Sequence, residues 1–192
     1  FRELCKQPDR DKKFGRISIN DTVMYAALKA LVDFPEFNAH FLDNRIIQYK
    51  NINLGFAVDT PRGLMVPVIK EANTLSLSEL SAETKRLASN CIDGTINPDD
   101  LTGGTFTVTN LGSMGIESFT PVLNAPEVAI LGVCAVQVKP VLKGNEVEFI
   151  PHLGLSLTFD HCANDGAPAA RFISNLREKI SNIELTLLET LY

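Results

Sequence analysis

PHLGLSLTFDHCANDGAPAARFISNLREKI, residues 151–180, changes its hydrophobic period halfway along. Leu153, Leu155, Leu157 and Phe159 recur at every second residue, the spacing of one face of a β-strand. From Ala167 the apolar residues follow the period of an amphipathic helix. Between the two runs, Asp165-Gly166 and Pro168 mark a turn and a helix start, with Asp165 a natural N-cap. His161 continues the alternation of the strand, so it is expected at the strand end, pointing to the core side. Two readings of it stand. It is a core histidine with one satisfied hydrogen bond, or it is a general base whose partial desolvation favours the neutral, proton-accepting form.

Working upstream, KGNE (143–146) reads as a turn, and VAILGVCAV (128–136) as a buried strand. GTFTVTNLG (104–112) alternates, with Phe106 and Val108 on one face and Thr105, Thr107 and Thr109 on the other. Asn97-Pro98 reads as an N-cap followed by a short turn. Ser76 with Glu79 forms a capping box, opening a helix through about residue 90 with Leu77, Leu80, Leu87 and Ala88 inward. INLGFAVDT (52–60) and GLMVPVIKEA (63–72) are strand candidates, and Pro67 predicts an edge or an irregularity in the second. Ser18 with Asp21 resembles a capping box for a helix whose Val23, Ala27, Leu28, Leu31 and Val32 form one stripe, and Pro35 stops it. Helices interleaved with strands predict an α/β (α+β sandwich) domain, a mixed β-sheet flanked by helices.

The chain has 192 residues, enough for one domain with a sizeable core. Its net charge of −5 supplies no general field for nucleic acid, although the first sixteen residues hold six basic and three acidic side chains. The longest apolar run is too short to span a bilayer. Four cysteines without a C-x-x-C pair suggest a reducing compartment.

Candidate chemistry is sparse. Cys162 beside His161 invites a cysteine–histidine reading, but neighbours on a strand point to opposite faces. His40 and His152 lack metal-ligand spacing, so no metal is expected. The glycines of LTGGTF lack a phosphate-loop ending. Thr109 could donate to an oxyanion or could be an ordinary strand threonine.

Four ordered blocks add to this: NINLGFAVDTPRGLMVPVI (51–69), LTGGTFTVTNLGSMGIESFTPVLNAPEVAILGV (101–133), PHLGLSLTFDH (151–161) and DGAPAARF (165–172). Together they resemble the catalytic domain of the dihydrolipoamide acyltransferases, the E2 components of 2-oxo acid dehydrogenase complexes. The resemblance implies a chloramphenicol acetyltransferase-like fold and trimers with sites between subunits, built into a larger core. It implies coenzyme A as a substrate, a lipoyl group on a separate or upstream lipoyl domain, and E1 and E3 components as partners through upstream domains. His161 matches the family's catalytic histidine, Thr109 the position of a serine that stabilises the tetrahedral intermediate, and Asp165 the acidic residue of the motif. Asp59, Phe119 and Leu131 fall in blocks that line the substrate channel. Neither nucleic acid nor membrane is an implied partner, and the implied location is the cytoplasm, or the mitochondrial matrix in a eukaryote. The family's opening segment has no counterpart before Phe1. Residues 1–192 are therefore expected to be one catalytic domain without that segment and without lipoyl or subunit-binding domains.

The family carries Arg after the histidine where this chain has Cys162, so the turn is expected to be anchored differently. The implied reaction is acyl transfer between thioesters, acetyl being the first choice of acyl group. A drug-modifying acetyltransferase of the same fold and a catalytically silent core subunit are the alternatives.

Overall fold

The computed structural model describes residues 17–188. The basic opening segment and the last four residues lie outside that range. Helix α1 (Ile19–Asp33) begins on the expected capping box: Ser18 Oγ accepts from the Asp21 amide at 3.1 Å, and Asp21 accepts from the Ser18 amide at 2.8 Å. Its residues 23–28 are all buried, so it is packed on several sides rather than along one stripe. Val32, placed on the inward stripe from spacing, is 59% exposed, because it lies past the last turn that the neighbouring elements cover.

Pro35 opens a 3-10 turn, Pro35–Phe37. A hairpin follows, β1 (Ala39–Leu42) and β2 (Arg45–Gln48), which periodicity does not predict. Its two turn residues, Asp43 and Asn44, both take positive φ, the conformation of a tight hairpin turn. INLGFAVDT is split into β3 (Leu54–Phe56) and β4 (Val58–Thr60). GLMVPVIKEA is split into β5 (Gly63–Met65) and the two-residue β6 (Val68–Ile69), broken at Val66-Pro67 as the proline requires. Helix α2 (Leu77–Asp93) starts on the Ser76–Glu79 capping box. Then come the Pro98–Leu101 turn capped by Asn97, β7 (Phe106–Asn110), and one long hairpin of β8 (Ala129–Lys143) and β9 (Glu146–Phe159). Helix α3 (Gly166–Ser181) and a short α4 (Ile183–Leu188) close the described chain.

The main sheet runs β6-β3-β7-β8-β9. Strands β3, β7 and β8 are parallel, and β6 and β9 are antiparallel edges, so the sheet is mixed. Register assigns the faces. Val108, Leu131 and Leu157 are paired in one row, and with Phe106 and Val133 they meet the helices in the hydrophobic core. Phe172 of α3 is fully buried there, 5.0 Å from the Phe37 ring and 6.0 Å from the Phe106 ring. Burying such a side chain contributes roughly 1.5–3 kcal/mol.

The other face carries Thr107, Thr109, Ile130, Gly132, Ser156 and Thr158. Residues 111–127 lie across it as a strap. Leu111 N donates to Val133 O at 3.0 Å and Ala135 N to Ile116 O at 2.7 Å. Thr158 Oγ1 donates to Pro121 O at 2.7 Å, and the Phe119 ring packs onto Gly132. Among the described residues no helix is long and apolar enough to cross a membrane.

Candidate active site

The alternation of β9 ends at Phe159, and His161 is not in the strand. Asp160 redirects the chain. Its carbonyl accepts from the amides of Ala163 and Asn164, both at 3.0 Å, and its Oδ1 accepts from Cys162 N at 2.8 Å. An aspartate that captures backbone amides two, three and four residues ahead makes a turn, and a turn ends the period of two. The expectation of an inward His161 is therefore corrected: its side chain is 73% exposed in the single chain. Cys162 is exposed as well, a free thiol in the same turn, so strand alternation no longer separates the two side chains.

The turn is nonetheless held. Asn164 is buried, and its Nδ2 donates to Glu36 O at 3.2 Å, tying the turn to the segment after α1. Asp160 and Asn164 thus do the anchoring that spacing left unassigned once Arg was absent from position 162. The Phe159 and His161 rings are 4.9 Å apart. Asp165 is the N-cap of α3 as expected, but its side chain makes no capping hydrogen bond. Its Oδ1 faces His161 Nδ1 at 3.9 Å, longer than a hydrogen bond.

Thr109 sits near the far end of β7 on the strap-covered face, half-buried, in the row Thr109–Gly132–Ser156. The Phe119 ring rests on Gly132 of that row, beside Thr109. Asp59 is exposed on β4, which leaves the main sheet after Phe56, the partner of Val108; it therefore stands off the same end of the sheet as Thr109. Leu131 does not join them. It points to the opposite face and is fully buried in the core, because successive strand residues alternate. The assignment of Leu131 to the channel lining is corrected to a packing role.

His161 belongs to the other end. Five residues separate it from Ser156, the β9 partner of Gly132 in the Thr109 row. At about 3.3 Å per residue along the strand and about 4.8 Å per strand across, the end of β9 at Phe159 is already offset from Thr109 by roughly 10 Å in each direction, and His161 lies in the turn beyond that end. The structure thus joins Thr109 with Phe119, and His161 with Asp165, but leaves the two pairs apart within one chain. A hollow lined by Tyr49, Lys50, Asn51, Asn53, Lys70 and Glu71 lies at the β6 side of the sheet, away from His161.

One polar group escaped the sequence reading. Glu127, at the end of the strap, is buried. Burial pushes its carboxyl up to about 7, against hydrogen bonds with Thr107 and Asn124 that act the other way. A Pro-Glu pair before an apolar run carries no periodic signal that would mark it as buried.

The family described as 2-oxoacid dehydrogenases acyltransferase (catalytic domain) matches residues 1–188. Among curated relatives, the dihydrolipoyllysine-residue acetyltransferase component of the pyruvate dehydrogenase complex of Acholeplasma laidlawii is 48% identical over 165 residues. That alignment covers 85% of this chain but only 30% of the relative. Among solved structures, dihydrolipoamide acetyltransferase of Azotobacter vinelandii superposes with a TM-score of 0.90 at 36% identity, covering 97% of this chain and 79% of that one. A serine, a histidine and an asparagine have been investigated in its catalytic mechanism; the serine lies 52 residues before the histidine and the asparagine four after it. The cubic core of a pyruvate dehydrogenase multienzyme complex matches with a TM-score of 0.90 at 37% identity, covering 97% of this chain and 79% of that one. Chloramphenicol acetyltransferase, at 17% identity and a TM-score of 0.59, shares the fold over 90% of this chain and 81% of its own.

Proposed function

Because the chain belongs to the family of 2-oxoacid dehydrogenase acyltransferase catalytic domains, we propose that it moves an acyl group, acetyl in the first instance, between a dihydrolipoyl arm and coenzyme A in the core of a 2-oxo acid dehydrogenase complex. The observation that carries this is a coincidence of spacing. Thr109 stands 52 residues before His161 and Asp165 four after it, the separations of the serine, histidine and asparagine in the Azotobacter protein.

In this reading Asp165 holds the Nδ1 side of the imidazole and leaves Nε2 free to take the coenzyme A thiol proton. The resulting thiolate attacks the carbonyl carbon of the acyl-lipoyl thioester. Charge develops on the carbonyl oxygen, where the Thr109 hydroxyl donates. The carbon–sulfur bond to the lipoyl arm then breaks, and the imidazolium returns the proton to the departing dihydrolipoyl thiolate. Bonds and protons balance without a covalent enzyme intermediate. General base catalysis is worth about 10²–10⁴-fold, and one oxyanion donor about 10²–10³-fold.

The offset of His161 from Thr109 supports a site shared between subunits, one chain supplying the base and its neighbour the hydroxyl. The β8–β9 hairpin supports self-association as well. Beyond the helices its core-side face continues as Val136, Val138, Pro140, Leu142, Val147, Phe149 and Pro151, paired row by row, with Phe149 72% exposed. A one-sided apolar ribbon of that length needs a cover, and a trimer supplies one. The strap-covered face with Asp59 and Phe119 would form the channel wall beside Thr109.

The test is steady-state transfer from acetyl-CoA to dihydrolipoamide, with chloramphenicol as the rival acceptor and branched-chain acyl-CoAs as rival donors. Transfer to dihydrolipoamide, fastest from acetyl-CoA, is expected. Transfer to chloramphenicol alone would move the chain to the drug-modifying class, and no transfer by an assembled protein would make it a structural core subunit.

A further inference from the structure

The strap residues 111–127 reach the sheet through a polar cluster that the proposed reaction does not use. Glu127 is 4% exposed. Asn124 Nδ2 lies 3.1 Å from Glu127 Oε1 and 3.4 Å from Thr107 Oγ1, so one amide bridges the carboxyl and the hydroxyl. Glu127 Oε2 is buried with no hydrogen-bond partner among the described residues. Two glycines make room for the cluster. A Cβ at Gly104 would lie 2.7 Å from Glu127 Oε1, and one at Gly55 2.7 Å from Thr107 Oγ1. Space has been cleared on both sides of a carboxyl and a hydroxyl, as a fitted polar pocket requires.

Thr107 is two residues before Thr109 on the same face of β7, and the strap that Asn124 ties down also carries Phe119. We propose that Glu127 is a positioning residue: its buried carboxyl holds the Asn124 amide, which reaches Thr107, and so clamps the strap to β7 and keeps Thr109 and Phe119 in their places at the acyl-transfer site. The proposal rests on the acyltransferase reading for its kinetic consequence but not for the clamp itself.

The clamp works with the carboxyl uncharged. Ionised, it would be a buried anion with one oxygen unpartnered among the described residues, none of which is shown as an ion-pair partner to it. His40, the β-bridge partner of Glu127, has its Nε2 against Gly104 O at 2.7 Å and its Nδ1 against Tyr49 Oη at 3.0 Å. Lys70, from the β6 side, is exposed and donates to the Thr102 carbonyl. The strap from 118 to 126 and strand β7 contribute no titratable group. With the Glu127 carboxyl raised to about 7 by burial, the clamp is closed in weak acid and loosens as pH rises through that value.

The experiment is hydrogen–deuterium exchange of residues 111–127 in the full chain at about pH 5.5 and about pH 8.5, corrected for intrinsic exchange, alongside kcat and KM. In the wild type, exchange of the strap is expected to quicken by at least about tenfold at the higher pH, because the desolvation penalty of the buried anion outweighs the hydrogen bonds it accepts, and each pKa unit of that imbalance is worth about a factor of ten. Glu127→Gln, neutral and of the same shape, should stay protected at both, with a kcat that gains on the wild type as pH rises through about 7. Asn124→Ala, outside the core, should exchange about tenfold faster at both and lose kcat by a similar factor with KM nearly unchanged. Glu127→Ala should resemble it, and if that variant does not fold, Asn124→Ala decides. The clamp is overturned if Glu127→Gln keeps the wild-type pH dependence of exchange or if Asn124→Ala leaves strap protection unchanged. A wild type without acyl transfer would remove the acyltransferase reading, while the exchange measurement would still decide the clamp.

Discussion

On the proposed reading, His161, exposed in a turn built by Asp160, acts in a place that the described residues of its own chain do not enclose. Replacing it by Ala or Asn is expected to lower kcat by at least ~10² with little effect on the coenzyme A KM, because a general base acts in the transition state. Wild-type turnover in either variant would take it out of the mechanism. Thr109→Val keeps strand propensity and removes only the hydroxyl, so kcat should fall about 10- to 10³-fold, whereas Thr109→Ser should keep most activity. Cys162 shares the exposed turn but has no step assigned to it, so Cys162→Ser should leave kcat within a few-fold. A dead Cys162→Ser beside an active Thr109→Val would instead indicate a cysteine nucleophile. Glu127 makes a separate prediction for stability. Its folded pKa, about 7, is above its ordinary 4.5, so between those values the folded state holds a proton that the unfolded chain has lost. Its contribution is complete below about pH 4.5 and declines as pH rises to about 7, by on the order of a few kcal/mol. Denaturant titration from acid to neutral pH should show this decline in the wild type and lose it in Glu127→Gln.

At the scale of elements, the chain's punctuation was the dependable signal. Both capping boxes, the Asn97 cap, the break at Pro67 and the turn at residues 143–146 stand where residue chemistry puts them. The β1–β2 hairpin was missed because RIIQ is exposed on both faces and shows no alternation; its Asp43-Asn44 turn was the one available sign. The β8 half of the β8–β9 hairpin was read too short, while VEFIPHLGLSLTF (147–159) was read as strand nearly to its observed bounds. The hairpin's outer half alternates apolar and polar residues without any core to cover the apolar face. That face yields a direct prediction. Phe149→Asp should abolish self-association, read by light scattering, while the monomer remains folded, since exposed positions rarely affect stability by more than about 0.5 kcal/mol. An unchanged oligomer would place the contact elsewhere, with α4, whose Leu185 is 62% exposed, the next surface to test.

For the whole molecule, the proposed reading, with the two halves of the site apart in one chain, requires association for catalysis. Chains carrying His161→Ala and chains carrying Thr109→Val should each be nearly inactive alone. Co-expressed in equal amounts, they should recover activity at about a quarter of the interfaces, where an intact histidine meets an intact threonine. No recovery in mixed oligomers would mean that both groups act within one chain. The amino-acid sequence by itself determined most of the strand and helix inventory around the core and the mixed architecture, which depend on local chemistry: caps, prolines and the periods of side chains along one element. His161, Thr109 and Asp165 were singled out by the resemblance of their blocks to a family, not by periodicity. Only the tertiary structure decided that His161 leaves the strand, that Leu131 turns to the core while Thr109 and Phe119 share the other face, and that Glu127 is buried against Thr107. Those outcomes depend on which face of the sheet each row takes and what lies across it, and such contacts, between residues far apart in the chain, leave no period in the sequence.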